Sequence, residues 1–544
     1  MPFSPDQHES AGGVTPNGQP LRPMLFDALK EGLTPSRLRA DALAGVTVAI
    51  VALPLSMAIA IASGVGPERG LYTAIIGGFL VSLLGGSRFQ IGGPAGAFIV
   101  LVAACVAQTG LSGLILATFL SGVMLALLGL ARLGSTIRYM PYPVTVGFTS
   151  GIGVIILASQ LKDMLGLSLP GGEPGPILPK IAALWQARET ASLSAIAVTV
   201  LTIAVIELIK RIRPHWPSLL IGIASVTLFS TLAGLQVETI ATRFGELPRL
   251  PPLPHLPELS TEALLAALPW AFSFTLLGAI ESLLSAMVAD GMSGTMHRSN
   301  MELIAQGVAN MGAALFGGFC VTGTIARTAT NVRSGAHTPV AGMIHALVLL
   351  VFLLIAAPLA GYIPLAALAG LLGIVAWNMI EKHECAALTR VSRGDAMVLW
   401  VTLLVVVFRD LAEGIILGFA LGGLVFIRHM SEHSGVFENP APVSDAADEP
   451  SDTQDADRVV YHMRGMIFFG SVARLGTVLE RIAERPRTVE LDLTGASFVD
   501  ITGARMIREL AQNLSRRGGW LHIAGARPDI VEQLRSAGVP PGHF

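Results

Sequence analysis

The sequence predicts a polytopic α-helical membrane protein that ends in a small cytosolic α/β domain. Three observations carry this. The 544 residues are 52% hydrophobic and only 14% charged, whereas a soluble domain carries about 25% charged residues. Apolar runs of spanning length follow one another from Ala42 to Arg428. Beyond them the composition turns polar, and strand-like and helix-like periods alternate.

Residues 1–40 hold Pro, Gly, Asp and Glu but lack the apolar stretch of a signal peptide, so they are expected to form a cytosolic tail. The membrane part is expected over 41–430. A helix needs ~20 residues to cross the hydrocarbon. Clear spans are 42–63, 70–86, 111–131, 143–161, 191–209, 217–235, 270–289, 338–357, 364–380, 395–409 and 412–427. Three weaker segments, 94–107, 303–318 and 322–333, are short or broken by Gly, Pro and polar residues. Together they make about fourteen segments, an even number that returns both ends to one side. With the N-terminus inside, the cytoplasmic loops hold Arg88, Arg132, Arg138, Lys210, Arg211, Arg213, Arg298, Lys382, Arg390, Arg393 and Arg428. The outer loops hold fewer basic residues, among them Arg69, Lys180, Arg188, Arg243 and Arg249. This is the positive-inside bias, and it places both termini in the cytoplasm.

Residues 431–457 read as a solvated linker, rich in Asp, Glu, Pro and Ser. In 458–544, "VVYHMRGMIFFG", "TVELDLTG" and "WLHIAG" alternate as strands, while "VARLGTVLERIAE", "TGARMIRELAQNLSRR" and "DIVEQLRSAG" have helical periods.

The net charge of −2 argues against a nucleic-acid partner. Cys105, Cys320 and Cys385 are odd in number and lie in or beside apolar runs, which speaks against a disulfide framework or a zinc site. No nucleophile constellation or nucleotide-binding loop is visible, so an enzyme is not expected and no cofactor is implied.

Two segments at matching positions in two halves open with small, helix-breaking residues. They are "QIGGPAGAFIVL" at 90–101 and "CVTGTIARTATNVRSG" at 320–335. Paired interrupted helices point to an inverted-repeat transporter. Half-helices that meet at the midplane expose free N–H groups and positive dipole ends, which suit an anion without a metal. The bland alternative is that such glycines only let helices pack closely. Arg327 lies one turn past Gly323 and either attracts the anion, balances a carboxylate or reaches to the membrane edge. Glu281 sits in the middle of the apolar run "FTLLGAIESLLSAMVADG". A carboxyl there costs several kcal/mol unless it is paired, hydrated or neutralised. It is either a neutral acid bonded between helices or a proton-coupling group. Glu302, Gln306 and Asn310 recur every four residues on one helix face and are expected to hold helices together. Thr502 lies at a strand-to-helix turn, as an N-cap or as a phosphorylatable hydroxyl.

"GFTSGIGVIILASQLKDMLGL", "GGSRFQIGGPAGAF", "VADGMSGTMHRSNMELIAQGVAN" and "TGTIARTATNVRSGA" together resemble the SulP anion transporters. The tail "VELDLTGASFVDITG" resembles a STAS domain, the usual C-terminal partner in that family. The resemblance covers nearly the whole chain after residue 25. It implies a seven-plus-seven inverted repeat, split into core and gate domains, an elevator-like mechanism and a homodimer in the inner membrane. It places the anion between Ala95, Gly96, Ala97 and Phe98 on one side and Gly323, Thr324, Ile325 and Arg327 on the other. It matches the ion-coupling carboxylate to Glu281, with Ser285 one turn later. Sodium-coupled bicarbonate relatives carry Asp there, and a Glu fits protons better. Thr502 matches the Ser or Thr that is phosphorylated in some STAS domains, and that domain is where cytosolic partners are expected. The first segment departs from the common pattern, with Leu55 and Ile59 where many members have Gln and Tyr. That variant looks most like bacterial carriers of C4-dicarboxylates. The expectation is therefore proton-coupled uptake of succinate- or fumarate-type anions, with sulfate or bicarbonate transport, or uncoupled exchange or channel activity, as alternatives. A purely regulatory membrane protein is the reading from a different class, and it predicts no flux.

Overall fold

The structure is a computed structural model that describes residues 20–137, 141–169, 173–214, 216–409, 411–432, 435–438, 458–468 and 488–544. The first nineteen residues, most of the linker and the expected helix "VARLGTVLERIAE" lie outside them. Contacts divide the chain into two units, Met1–Phe419 and Ala420–Phe544.

In the first unit, α1 spans Pro35–Ala62. Its start is set locally. The Thr34 hydroxyl accepts the Arg37 N–H at 3.4 Å, and Pro35 supplies a preset φ where no N–H is needed. α2 is a composite of Pro67–Tyr72, a wide π-type turn Thr73–Gly77 and Gly78–Leu84. α3 spans Ile99–Leu130, interrupted at Gly110 by φ 70° and ψ −173°, a backbone that suits only glycine. The apolar stretch Gly96–Leu130 has 35 residues. Straight, it would be ~52 Å long against a hydrocarbon layer of ~30 Å. The Gly110 break turns this one stretch into the two separate segments read from the sequence.

α4 is Tyr142–Leu165, α5 Leu193–Ile212 and α6 Ser218–Leu232. α7, Thr261–Ser293, opens where the Ser260 hydroxyl accepts the Ala263 N–H and closes on left-handed Gly294. Then follow α8 Ser299–Leu315, α9 Ile325–Arg333, α10 Val340–Ala360, α11 Leu365–Met379, α12 Arg393–Phe408 and α13 Leu411–Glu432. All of the expected segments are thus helical. Among the described residues, however, only 8 stretches are long and apolar enough to cross a membrane unaided. The short helix α9 buries Arg327, Thr328 and Asn331, and irregular or polar backbone is tolerated at membrane depth only where protein surrounds it.

The helices pack in two groups. α3 packs against α7 and α8, and α10 against α1 and α2. Separately, α4 packs against α11 and α12, and α5 against α6 and α11. These groups correspond to segments one to four with eight to eleven, and five to seven with twelve and thirteen. At the α3–α8 contact, a Cβ on Gly122 would lie 2.6 Å from the Gly307 carbonyl oxygen, and one on Gly307 would lie 2.5 Å from that of Gly122. Two glycines let the backbones touch. Asp41 of α1, fully buried, accepts the N–H of His337 at 2.6 Å, that of Thr338 at 3.1 Å and the Thr338 hydroxyl at 2.6 Å. It thereby fixes the entry to α10.

The two interrupted segments meet. β1 (Gly92–Gly93) pairs antiparallel with β2 (Thr322–Gly323), Gly92 opposite Gly323 and Gly93 opposite Thr322. β1 leads into α3 and β2 into α9, so the two helices leave the pair in opposite directions.

The second unit holds a sheet in the order β3 (Gly435–Glu438), β4 (Arg458–Ile467), β5 (Thr488–Asp492), β7 (Trp520–Ala524), with β6 (Ala496–Val499) also on β4. β3 is antiparallel to β4, and the other pairings are parallel. Helices α14 (Ile501–Arg516) and α15 (Pro528–Ser536) bury Ile507, Leu510, Leu514, Ile530 and Leu534 with Val489, Leu491, Leu521 and Ile523 of the strands. Two expectations are corrected. Part of the presumed linker, Gly435–Glu438, forms strand β3. A four-residue strand carries too little period to be seen in sequence. Thr502 is not the N-cap of α14. That position belongs to Asp500, whose carboxylate accepts the Gly503 N–H at 2.7 Å, and Thr502 sits in the first turn, half-buried.

Candidate functional site

The site grows out of the β1–β2 pair. Ile91 extends the pairing, for its carbonyl accepts the Thr324 N–H at 3.0 Å and its N–H donates to the Thr328 hydroxyl at 3.1 Å. On the other side of β2, Asn310 of α8 binds Val321 like a strand. Its amide donates to the Val321 carbonyl at 2.8 Å and its oxygen accepts the Val321 N–H at 2.9 Å. The Glu302–Gln306–Asn310 stripe is indeed a structural one. Glu302 is fully buried, accepts the N–H groups of Gly86 and Ser87 at 2.9 and 3.1 Å, and is bonded by Gln306 at 2.9 Å.

α7 presents Gly278, Ser282 and Ser285 to this crossing, at spacings of four and three that share a helix face. The Ser282 hydroxyl bonds that of Thr322 at 2.8 Å and accepts the Gly323 N–H at 3.2 Å. Gln90 donates to the Ser282 carbonyl at 2.9 Å. Ser285 donates to the Thr328 hydroxyl at 3.1 Å.

Arg327 is 1% exposed. Its Nη2 donates to the Pro94 carbonyl at 2.9 Å, while Nε and Nη1 have no partner. The guanidinium is thus tied to the opposite half-helix and keeps donors to spare. Gly93 makes this approach sterically feasible, since a Cβ there would lie 2.3 Å from Arg327 Nη1.

The expected residues are distributed as follows. Ala95, Ala97 and Phe98 are buried, and Gly96 is half-buried. Phe98 also meets Phe274 of α7, ring centres 6.0 Å apart. A Cβ on Gly96 would lie 3.5 Å from Ile156 of α4 and 3.5 Å from Met379 of α11. Gly96 therefore looks across to the other packing group. Gly323, Thr324 and Ile325 close the second half-site, with Thr324 at the N-cap of α9. Gly323 differs from the expectation that it faces the anion. A Cβ on it would lie 1.8 Å from Gln90 Nε2, so its missing side chain makes room for Gln90. The structure brings Ala95–Phe98 and Gly323–Arg327 together around one crossing. Glu281 is half-buried beside it on α7, its Oε2 shut away without a partner. It forms no direct ion pair with Arg327. Ser285 belongs to the Thr328 contact rather than to Glu281. Thr502 lies in the second unit.

Sequence reasoning passed over Gln90, Ser282, Thr328 and His345. Ser282 was legible as the middle of the "GAIESLLS" face, and His345 as a lone ionisable residue in an apolar run. The roles of Gln90 and Thr328 depend on contacts with segments some 190 to 240 residues away.

The arrangement offers a small polar crossing, two helix N-termini and a buried cation, facing a second helix group through a glycine. The sulfate permease family model matches residues 38–402, and a STAS domain model matches 449–541. The chain belongs to the sulfate permease family. Among curated members, YvdB of Bacillus subtilis, named as a sulfate transporter, is 38% identical over 95% of this chain and 97% of its own. The bicarbonate transporter BicA of Picosynechococcus is 32% identical over 91% of this chain and 90% of its own. Among solved structures, the transmembrane domain of a cyanobacterial bicarbonate transporter BicA aligns with TM-score 0.65 at 32% identity, over 70% of this chain and 98% of that one. Murine solute carrier 26 family member A9, an anion transporter in its inward-facing state, shares the fold with TM-score 0.83 at 19% identity, over 95% of this chain and 90% of that one. This sulfate permease family member is a multi-pass anion transporter with a C-terminal STAS domain, and not an enzyme.

Proposed function

We propose that the protein takes up a small inorganic oxyanion, sulfate or bicarbonate, driven by protons. The observation that carries this is the β1–β2 crossing, which sets the buried Arg327 between two half-helix starts and faces α4 and α11 through Gly96. Its free donors suit a compact oxyanion. The relatives at 38% and 32% identity are named for sulfate and bicarbonate, which favours these anions over the C4-dicarboxylates suggested by the first segment.

In this reading, Ala95, Gly96, Ala97 and Phe98 with Gly323, Thr324, Ile325 and Arg327 make the anion site. Some of these act as backbone, and Gly323 acts by seating Gln90. Glu281 takes up the coupling proton, with Ser285 setting the helix face beside it. The α3, α7, α8 and α9 group carries the site past the α4 and α11 group in an elevator-like movement. The chain works as a homodimer in the inner membrane with both termini cytoplasmic, and Thr502 serves regulation.

The test is uptake of labelled sulfate and bicarbonate into proteoliposomes, with succinate as competitor and an imposed pH gradient. Accumulation should follow external acidification. Glu281→Gln should keep anion binding and lose pH-driven accumulation. Accumulation that needs sodium in place of protons, equal exchange without a gradient effect, or accumulation of succinate in preference to both inorganic anions would each overturn the corresponding part of the reading.

A further inference from the structure

One ionisable group at membrane depth stands outside the anion site. His345 of α10 is 0% exposed, and neither Nδ1 nor Nε2 has a hydrogen-bond partner. An imidazole carries at least one N–H. An apolar side chain would serve packing better, and an ionisable residue inside a membrane domain points to function.

Its surroundings are specific. α10 packs on α1 and α2. A Cβ on Gly78 of α2 would lie 3.7 Å from His345 Cε1 and 2.9 Å from the Gly92 carbonyl oxygen. The ring edge therefore rests where α2 meets β1. One turn along each helix, a Cβ on Gly342 would lie 2.1 Å from the Ser82 hydroxyl, which also has no partner. Across β1, Arg327 Nη1 lies against Gly93, unpartnered as well. The charged and hydroxyl groups on the elements packed around α10 are Arg327 of α9 across β1, with Glu281 of α7 beside that crossing, Ser82 of α2 against Gly342, and Asp41 of α1, engaged by His337 and Thr338, while Gly45 of α1 lies against the His345 backbone nitrogen. Glu68, Arg69 and Tyr72 lie in the first stretch of α2, more than a turn before Gly78.

We propose that His345 is a proton-carrying residue of the transport cycle, linked across β1 to anion occupancy at Arg327. It rests on the proton-driven reading above. With the site empty and Glu281 neutral, a proton on His345 lies across β1 from an uncompensated guanidinium in a low-dielectric interior. An anion at Arg327 compensates that charge. Proton and anion then favour each other's binding, and the linkage is reciprocal. With Glu281 as one proton site, His345 is a second, so that a dianion moves with two protons and its charge is cancelled.

The experiment uses the purified full-length chain in weak buffer. Sulfate is titrated in, its binding followed by calorimetry and proton uptake by a pH indicator. The wild-type chain should take up protons as sulfate binds. His345→Gln should still bind sulfate and take up about one proton fewer per anion. Sulfate binding by the wild type with no proton uptake overturns the proton-driven reading itself. Proton uptake in the wild type that is the same in His345→Gln overturns the role of His345 alone. Where His345→Gln does not fold, nitrogen NMR of histidine-labelled wild-type chain decides: one imidazole should gain a proton as sulfate binds, and histidine signals that show no change of protonation overturn the proposal.

Discussion

At the residue scale, two glycines that look alike in sequence do opposite work. Gly96 borders space, with Ile156 and Met379 at ordinary contact distance from an added Cβ. Gly96→Leu should fill the gap between the crossing and the facing helices and abolish sulfate binding while the chain still folds. Calorimetry on a monodisperse sample checks both. Gly323 has no such space, because Gln90 occupies it. Gly323→Ala should displace Gln90 from Ser282 and lower stability by about 1–3 kcal/mol, the usual effect of overpacking. A thermal melt matching that of the wild type would refute this. Arg327 is the third case. Hydrogen bonds to charged groups are worth about 1.5–3 kcal/mol, so Arg327→Ala should weaken anion binding by roughly tenfold or more, and dianions more than monoanions. Arg327→Lys should recover only part, because it cannot keep the Pro94 contact and the planar fork together. Equal affinities in all three chains, measured for sulfate and bicarbonate, would remove Arg327 from the site.

At the element scale, the second unit has two testable joints. The Asp500 carboxylate caps α14, and Asp500→Ala should cost ~1 kcal/mol of local stability, seen as faster amide exchange in the first turn around Thr502. The second joint ties β4 to β5. His462 Nδ1 lies 2.6 Å from Asp492 Oδ2, and the Thr494 N–H donates to Oδ1 at 2.8 Å. Burial raises the proton affinity of Asp492, but the bonds from Thr494 and His462 outweigh it and hold the carboxyl below its ordinary value. A carboxyl lowered on folding adds stability above its ordinary range near ~3.9, and that stability is lost as pH falls through its folded value. The β4–β5 region should therefore loosen in acid, and Asp492→Asn should remove about 1 kcal/mol of this pH-dependent part. Acid-dependent unfolding of the full chain, unchanged in Asp492→Asn, would refute it.

At the scale of the whole molecule, the two units have separate hydrophobic cores. Every group of the proposed anion site lies in the first. Deleting residues 440–544 should leave sulfate affinity within about threefold, well under the ~1.4 kcal/mol that a tenfold change represents, while transport rate or dimer assembly changes. Binding and light scattering on the truncated chain test this. Loss of sulfate binding in a well-folded truncation would show that the second unit contributes to the site.

What the sequence determined by itself was everything carried by periodicity and composition. The helical segments follow from apolar runs of spanning length. The small α/β unit follows from the alternation of strand and helix. The place of the crossing was legible too, because Gly92, Gly93, Pro94 and Gly96 in one segment and Gly323 in the other interrupt helices wherever they stand. Tertiary structure decided what each broken segment meets. Only pairing across more than 200 residues puts Gly93 against Thr322, Arg327 against Pro94 and Gln90 in the space beside Gly323. Only packing leaves Glu281 and His345 with unpartnered polar atoms. These are properties of neighbours, and a linear sequence specifies neighbours along the chain but not across it.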